Sequence, residues 1–493
     1  MNPPAAGQDP VQRVAASGLP PYIFDLAKLE TAAADAAAWI PHTPAALCVN
    51  PSLSILELGW KHLAKLLDPS EPGERVPVPG PERVLAWKDP PMEVVRVSPG
   101  RDEDLLALKI VAEELDPPEV AREAGVPVGV IDRAVDAAVD RGILLRPPSR
   151  IRRETPPFPG ETWPDKFLAA PVFTLQWHVT QECDLSCLHC YDRSRRSPLL
   201  PSFGERILDD LRAFCRERFV GGQVSFTGGN PFLYDPFERL YRRAVELGLE
   251  VAILGNPVPR GRLEPILAIR RPAYFQVSLE GLPDHNDLIR GKGNFEAVFS
   301  FLDLLREYGV FSVVLLTLTE GNVDQVLPLA DLLKGRTDRF AFNRLSAAGR
   351  GSDLAPVGKV KFESFLRSYL DETARNPVLG RKDNLLNIVH QERGEPPFGG
   401  CTGFGCGAAF NFVSLLPDGE VHACRKFPSP IGRIGVQSFS EIYDSPEARR
   451  YRRGAKTCDG CAIRPVCGGC LAVAQSLGRD ISFETDPYCF MTR

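Results

Sequence analysis

No apolar run in the 493-residue chain approaches the roughly 18 residues of a membrane-spanning helix, and the longest strong one, 310–318, suits a single buried strand. The first residues show no basic stretch followed by an apolar one, so no secretory signal is visible. There is no cationic excess either. Lys and Arg number 58 against 63 Asp and Glu, for a net charge of -5 and a pI near 5.9. That balance argues against nucleic-acid and membrane-surface partners. These absences predict a cytoplasmic protein. An apolar share of 44% and a charged share of 25% are those of a soluble globular chain, long enough for two to four domains.

What the sequence does have is cysteine, 13 in all, which in a cytoplasmic chain points to metal rather than disulfides. Cys48 and Cys215 stand alone and are expected to be small buried hydrophobes. Three thiols crowd into Cys183-Asp-Leu-Ser-Cys187-Leu-His-Cys190, directly after the apolar run Phe173-Thr-Leu-Gln-Trp-His-Val179. Three thiolates on one loop can hold three irons of a cubane cluster and leave the fourth iron open, whereas an electron-transfer cluster normally has four. The remaining eight fall between 401 and 489.

Along the chain, 1–20 is rich in Pro, Ala and Gly, 22–40 reads as a helix, and the rest of 1–100 is broken by prolines and stays unassigned. Helices are expected at 103–115, 117–125 and 127–141, followed by an extended Ile143-Leu-Leu145, which makes 101–148 a winged-helix pattern. DNA binding is the first reading of such a module. Its charge opposes that: 101–154 holds 9 basic and 12 acidic residues, with Asp132, Asp136 and Asp140 on the third helix. A peptide-binding module or a structural cap fits better. Seven prolines in 147–171 mark a boundary, with 149–171 as linker.

From 172 to 375 strands and helices alternate. Strands are expected at 173–179, 222–227, 250–255, 274–279, 311–318 and 338–343, with helices at 204–218, 235–247, 260–270, 294–308, 323–334 and 360–374. Six β/α repeats predict an α/β fold, a partial (β/α)6 barrel whose site lies at the C-terminal strand ends. The cysteine triplet follows the first strand, and the second ends in Ser225-Phe-Thr-Gly228-Gly229-Asn230-Pro231. After a connector at 376–400, the cysteines of 401–493 surround a Pro417-Asp418-Gly419 hairpin turn. Their C-x2-C pairs suit a zinc ribbon as well as an iron–sulfur domain.

The C-x3-C-x2-C loop and the Gly-Gly-Asn-Pro turn together resemble the radical S-adenosylmethionine (SAM) superfamily. The resemblance implies that Cys183, Cys187 and Cys190 ligate a [4Fe-4S] cluster whose open iron binds SAM. Reductive cleavage of SAM would then give a 5′-deoxyadenosyl radical that abstracts a substrate hydrogen. It assigns Gly228, Gly229, Asn230 and Pro231 to the methionine amino group, Asn230 standing where Glu is commoner, and places Tyr191 beside the cofactor. Ser278, Glu280 and Arg290, in Ser278-Leu-Glu-Gly281 and His285-Asn-Asp-Leu-Ile-Arg290-Gly-Lys-Gly-Asn-Phe295, become candidates for the SAM carboxylate and ribose. A loop-stabilising ion pair explains the charged pair equally well.

The spacing G-x4-C, C-x2-C-x5-C-x2-C and a final Cys resembles the SPASM domain of peptide maturases. By that family's wiring, Cys401, Cys406, Cys424 and Cys470 would hold one auxiliary [4Fe-4S] cluster and Cys458, Cys461, Cys467 and Cys489 a second. Such maturases often carry a winged-helix element that captures a leader peptide, to which 101–148 looks similar. The strings around Trp177, Asp192 and His422 look closest to selenobiotic-type, thio(seleno)oxazole-associated maturases. The implied function is modification of a ribosomally made precursor peptide, forming a cross-link or heterocycle. An external electron donor such as flavodoxin or ferredoxin would serve it. A formylglycine-generating sulfatase maturase shares the framework, and a metal-cluster DNA-binding regulator is the reading from another class. No catalytic side chain beyond the cluster is assigned.

Overall fold

The computed structural model describes residues 19–67, 76–153 and 163–491. The chain divides into two compact units, the boundary falling between Pro148 and Ser149.

In the first unit, strands β2 (Ser54–Lys61), β3 (Val78–Asp89) and β4 (Val94–Pro99) form an antiparallel sheet in sequence order. The alternation of β3 explains the packing. Val84 and Ala86 join Leu29 and Ala32 of the helix Ile23–Ala38 in one core. Leu85 and Trp87 point the other way, into a core with Ala107, Ile110, Ile131 and Val135. That second core belongs to the helices Asp102–Ala112, Pro117–Ala124 and Val128–Asp140, each within a few residues of its expected bounds. The short strand β5 (Leu144–Leu145) pairs antiparallel with β1 (Cys48–Val49), so Cys48 lies partly buried at this junction. Trp87 Nε1 donates to the Arg141 carbonyl at 2.8 Å, and Asp104, almost fully buried, pairs with the Arg141 guanidinium.

The second unit is built on one nine-stranded sheet. Six strands, β6 (Val172–Thr180), β7 (Gly221–Gly228), β8 (Glu250–Leu254), β9 (Phe275–Ser278), β10 (Ser312–Leu318) and β11 (Arg339–Arg344), pair in parallel and in sequence order. The helices between them bury their apolar stripes against the strands. Phe214 of Pro201–Glu217 meets Phe173 edge-on at 4.8 Å, and Phe301 meets Phe275 at 4.9 Å. Cys215 is buried there as expected of a small hydrophobe, its thiol pushed up by burial. This is the partial (β/α)6 barrel the alternation predicted.

The barrel does not end at β6. The strand β12 (Phe412–Leu415) pairs in parallel with β6, and β13 (Glu420–His422) and β14 (Pro430–Arg433) continue antiparallel from it. The cysteine-rich segment therefore extends the barrel's own sheet. Residues 150–153 and 164–170 are also tied into this unit. Ile151 is fully buried, its carbonyl accepts from Ala170 N–H at 2.8 Å, and Arg153 stacks 4.4 Å over Phe410.

Candidate active site

The cysteine triplet lies just past the C-terminal end of β6, where parallel β/α sheets place their sites. Its loop is held from three sides. The Leu188 N–H donates to the Ile289 carbonyl at 2.9 Å, and Arg350 N–H donates to the Cys190 carbonyl at 3.0 Å. The third support is the turn after β7, where Gly229 N–H donates to Thr180 O at 3.0 Å and Asn230 N–H to Glu182 O at 2.8 Å. Only glycine permits this approach. Gly228 has φ +140°, and a Cβ there would lie 2.1 Å from the Thr180 carbonyl oxygen. A Cβ on Gly229 would fall 2.0 Å from Glu182 O and 2.8 Å from Cys183 Cβ. Pro231 follows, buried, in a short turn that Asn230 caps by accepting the Phe232 N–H.

The three thiols open into a cavity of about 570 Å3 that reaches down the barrel to Gln276, Ser278, Thr317 and Asn343. Cys183, Cys187, Cys190, Tyr191, Gly228, Gly229, Ser278 and Arg290 all line it. Glu280 does not. Its carboxylate, 2% exposed, faces Arg290 NH1 at 2.9 Å and His189 Nε2 at 3.2 Å and accepts the Thr317 N–H at 2.8 Å. Burial pushes this carboxyl up, but His189, Arg290 and the Thr317 N–H outweigh it and hold it at about 2. The loop-stabilising ion pair is thus present, while Arg290 also faces the cavity. Tyr191 hydroxyl lies 3.4 Å from His178 Nε2; burial raises the phenol and lowers the imidazole to about 3, so both are neutral at pH 7.

Two further residues escaped the sequence reading. Asn256, just past β8, donates from Nδ2 to Asp184 Oδ1 at 2.5 Å and accepts from Arg290 NH2 at 3.3 Å. Asp184 also accepts from Asn230 Nδ2 at 3.3 Å, so the polar residue in place of Glu at 230 holds the loop. The available signal was position alone, an Asn two residues beyond a strand's C-terminal end. No motif marks it.

The donor chemistry fits a cluster with an open position. Among the cavity's lining residues the thiols number three, and His178 Nδ1, His189 Nδ1 and Arg290 Nε are buried without a hydrogen-bond partner. Burial raises the Cys187 thiol, opposed by Arg290, so a bound cation is needed to deprotonate it fully.

Behind this cavity, Cys401, Cys406, Cys424 and Cys470 line a second one of about 60 Å3. Asn343 and Lys426 form walls of both. Burial pushes Cys406 up to about 12 and Cys424 to about 11, so these thiols too call for a strong cationic centre. Among the described residues no three Cys, His, Asp or Glu side chains are grouped tightly enough for a single metal ion. Four thiols around a shared space suit a polynuclear centre. Cys458 and Cys461 bear electrostatically on the buried Cys467 thiol, as does Asp486, three residues before Cys489.

Comparison with known proteins agrees with this layout. The model of the radical SAM superfamily matches residues 177–333, and that of an iron–sulfur cluster-binding domain, SPASM, matches 406–470. The antilisterial bacteriocin subtilosin biosynthesis protein AlbA of Bacillus subtilis (strain 168) is 24% identical over 310 residues. That match covers 60% of this chain and 66% of AlbA, so the chain spans just under two thirds of that relative. The AdoMet-dependent heme synthase of Methanosarcina barkeri is 26% identical over 345 residues, 64% of this chain and 95% of the synthase. In fold, the crystal structure of Streptococcus suis SuiB bound to precursor peptide SuiA is similar with a TM-score of 0.55 at 16% identity. It covers 83% of this chain and 97% of SuiB, a share larger than the second unit alone can supply.

Proposed function

Because this chain is a radical SAM protein with a C-terminal SPASM domain, we propose that it uses SAM to modify a ribosomally made precursor peptide. The observation that carries the reading is the triplet loop, braced by the Gly228–Gly229 turn at the open mouth of the barrel cavity. A cluster with bound SAM supplies one-electron cleavage of a sulfonium and, from it, hydrogen-atom abstraction. Cys183, Cys187 and Cys190 would hold that cluster. The N–H groups of Gly229 and Asn230 are committed to the loop, and the Asn230 and Pro231 carbonyls accept from Leu233 and Tyr234, which leaves the Gly229 carbonyl to accept from an ammonium group. Arg290, fixed by Glu280 and Asn256, presents a cation for a carboxylate, and Ser278 offers a hydroxyl beside it.

The peptide substrate draws on the relatives. AlbA takes part in making a bacteriocin, and SuiB has been seen with its precursor peptide. The first unit, with three helices beside a three-stranded sheet, would capture a leader segment by adding it as a strand. The auxiliary thiols would hold two [4Fe-4S] clusters in an electron path, served by an external one-electron donor. The AdoMet-dependent heme synthase match favours a second reading, a tetrapyrrole substrate, which leaves the first unit without a role.

Anaerobic co-expression with the short peptides encoded beside its gene, followed by mass analysis, tests the proposal. Loss of two hydrogens from a peptide is expected for a cross-link or oxidised heterocycle. Unchanged peptides, together with turnover of a tetrapyrrole, would favour the second reading.

A further inference from the structure

The second unit has a strongly basic groove that the proposed chemistry leaves unused. About 1080 Å3 in volume, it is lined by seven arginines and a lysine against a single acidic residue, Asp459. The chain as a whole is acidic, at -5. Most of this charge comes from the helix Pro446–Arg453, Pro-Glu-Ala-Arg-Arg-Tyr-Arg-Arg, and from Lys456 just after it. A helix C-terminus favours cations, but four arginines in five positions repel one another at i,i+3 and i,i+4 spacing. Arg452 is used structurally, donating to the Tyr443 carbonyl at 2.7 Å and stacking 4.2 Å over its ring. Arg449, Arg450, Arg453 and Lys456 are exposed, and among the described residues none of them meets a carboxylate in an ion pair. A crowd of unneutralised, exposed cations costs stability through self-repulsion, which an anionic partner would relieve.

The groove's floor and wall adjoin both auxiliary thiol sets. Arg153 donates to the Cys406 carbonyl at 2.8 Å from the first set. Lys456 begins the short turn that ends at Cys458, and Arg464, between Cys461 and Cys467, donates to the Arg453 carbonyl at 2.7 Å. On the opposite side, the first set shares Asn343 and Lys426 with the active-site cavity. The charged surface is therefore the outer end of a chain of thiol sites whose inner end is the active site.

We propose that this groove is the docking surface of a small acidic one-electron carrier protein, an inference that rests on the auxiliary clusters of the proposed function. The reduced carrier would give up one electron to a cluster that Cys458, Cys461, Cys467 and Cys489 would hold beside the groove, and no bond or proton would move. Charge complementarity fixes the orientation and speeds the encounter, so binding weakens with salt.

The test uses the full-length, reconstituted chain and flavodoxin as the acidic probe. Its dissociation constant is measured across a salt series, and oxidation of the flavodoxin hydroquinone is followed by stopped flow. The variant Arg449→Glu/Arg450→Glu/Arg453→Glu/Lys456→Glu is expected to weaken binding by about tenfold or more, flatten the salt dependence and slow hydroquinone oxidation to match. Dithionite, which needs no docking, should still drive SAM cleavage in the variant at the wild-type rate. A control reversal at Lys334→Glu/Arg375→Glu should change binding by less than about twofold. Should the quadruple variant lose iron, Arg449→Gln/Arg453→Gln takes its place, with a loss of about threefold expected. Equal binding by variant and wild type, or no salt-sensitive binding by wild type, overturns the proposal. So does competition by RNA at lower concentration than flavodoxin. Failure of dithionite to cleave SAM in the wild type would sink the proposed function instead and leave the binding result to be judged by itself.

Discussion

Replacing Arg344 with methionine should loosen the C-terminal segment around Asp486 and Cys470 from the last barrel strand and empty one auxiliary site. Arg344 ends β11 and is 4% exposed. Its Nε donates to Asp383 at 2.7 Å, and NH1 and NH2 grip Asp486 at 2.9 and 2.7 Å. Its plane lies 5.2 Å over Phe362 and 5.4 Å over Tyr488. Asp486 in turn accepts the Cys470 N–H at 2.9 Å. One guanidinium thus joins the last barrel strand, the connector and the C-terminal segment. Methionine would keep much of the volume and leave two buried carboxylates without a cation. Breaking a buried pair costs about 3–5 kcal/mol, whereas a volume-conserving swap alone costs under about 1.5. Anaerobic urea unfolding, followed by tryptophan fluorescence, should show a lowered midpoint with an unchanged slope. Iron should fall by about four atoms per chain, the content of one cluster. The triple variant Arg344→Met/Asp383→Asn/Asp486→Asn should recover at least half the lost stability, because its uncompensated charges are gone. A single variant within about 1 kcal/mol of wild type, with full iron, would refute the reasoning.

Three further outcomes follow from the site. Gly229→Ala should abolish SAM binding, measured by equilibrium dialysis, because its Cβ would overlap Glu182 O and displace the triplet loop. Asn256→Leu removes the link between Asp184 and Arg290 and should weaken SAM binding by about tenfold, the cost of leaving buried polar partners unmet. Glu280→Gln should destabilise the barrel near pH 7. A carboxyl held at about 2 in the fold contributes fully above its unfolded value, about 4, and loses that contribution as pH falls toward 2. The urea-midpoint difference between the two proteins should therefore shrink below about pH 4, and a constant difference would contradict the ion-pair role.

The barrel was legible because its strands are continuous apolar runs buried on both faces, as in Val-Val-Leu-Leu of β10, separated by amphipathic helices. The sheet of the first unit was not. Pro79 and Pro81 interrupt the start of β3, and only Val84–Trp87 is buried on both faces, so no clean period-2 signal survives. The pairing of Phe412–Leu415 with β6 was also invisible, because nothing local in a four-residue strand names a partner some 240 residues earlier. The helix Pro283–Arg290 carries no apolar period at its start, where Asp284, His285, Asn286 and Asp287 follow one another. At the site, the cysteines and glycines were legible because their chemistry and backbone demands admit few substitutes. Glu280 looked like a ligand contact, and its burial against Arg290 and His189 could be learned only from three dimensions.

The central claim is that the triplet at 183–190 is the site of SAM cleavage and that the eight later cysteines serve it from behind. The most direct measurement is 5′-deoxyadenosine release, with dithionite as reductant, by the anaerobically reconstituted Cys183→Ala/Cys187→Ala/Cys190→Ala variant alongside the wild type. The wild type should release it while holding about twelve irons per chain, and the variant should release none while keeping about eight. Continued release by the variant, or loss of all its iron with the triplet, would contradict the account.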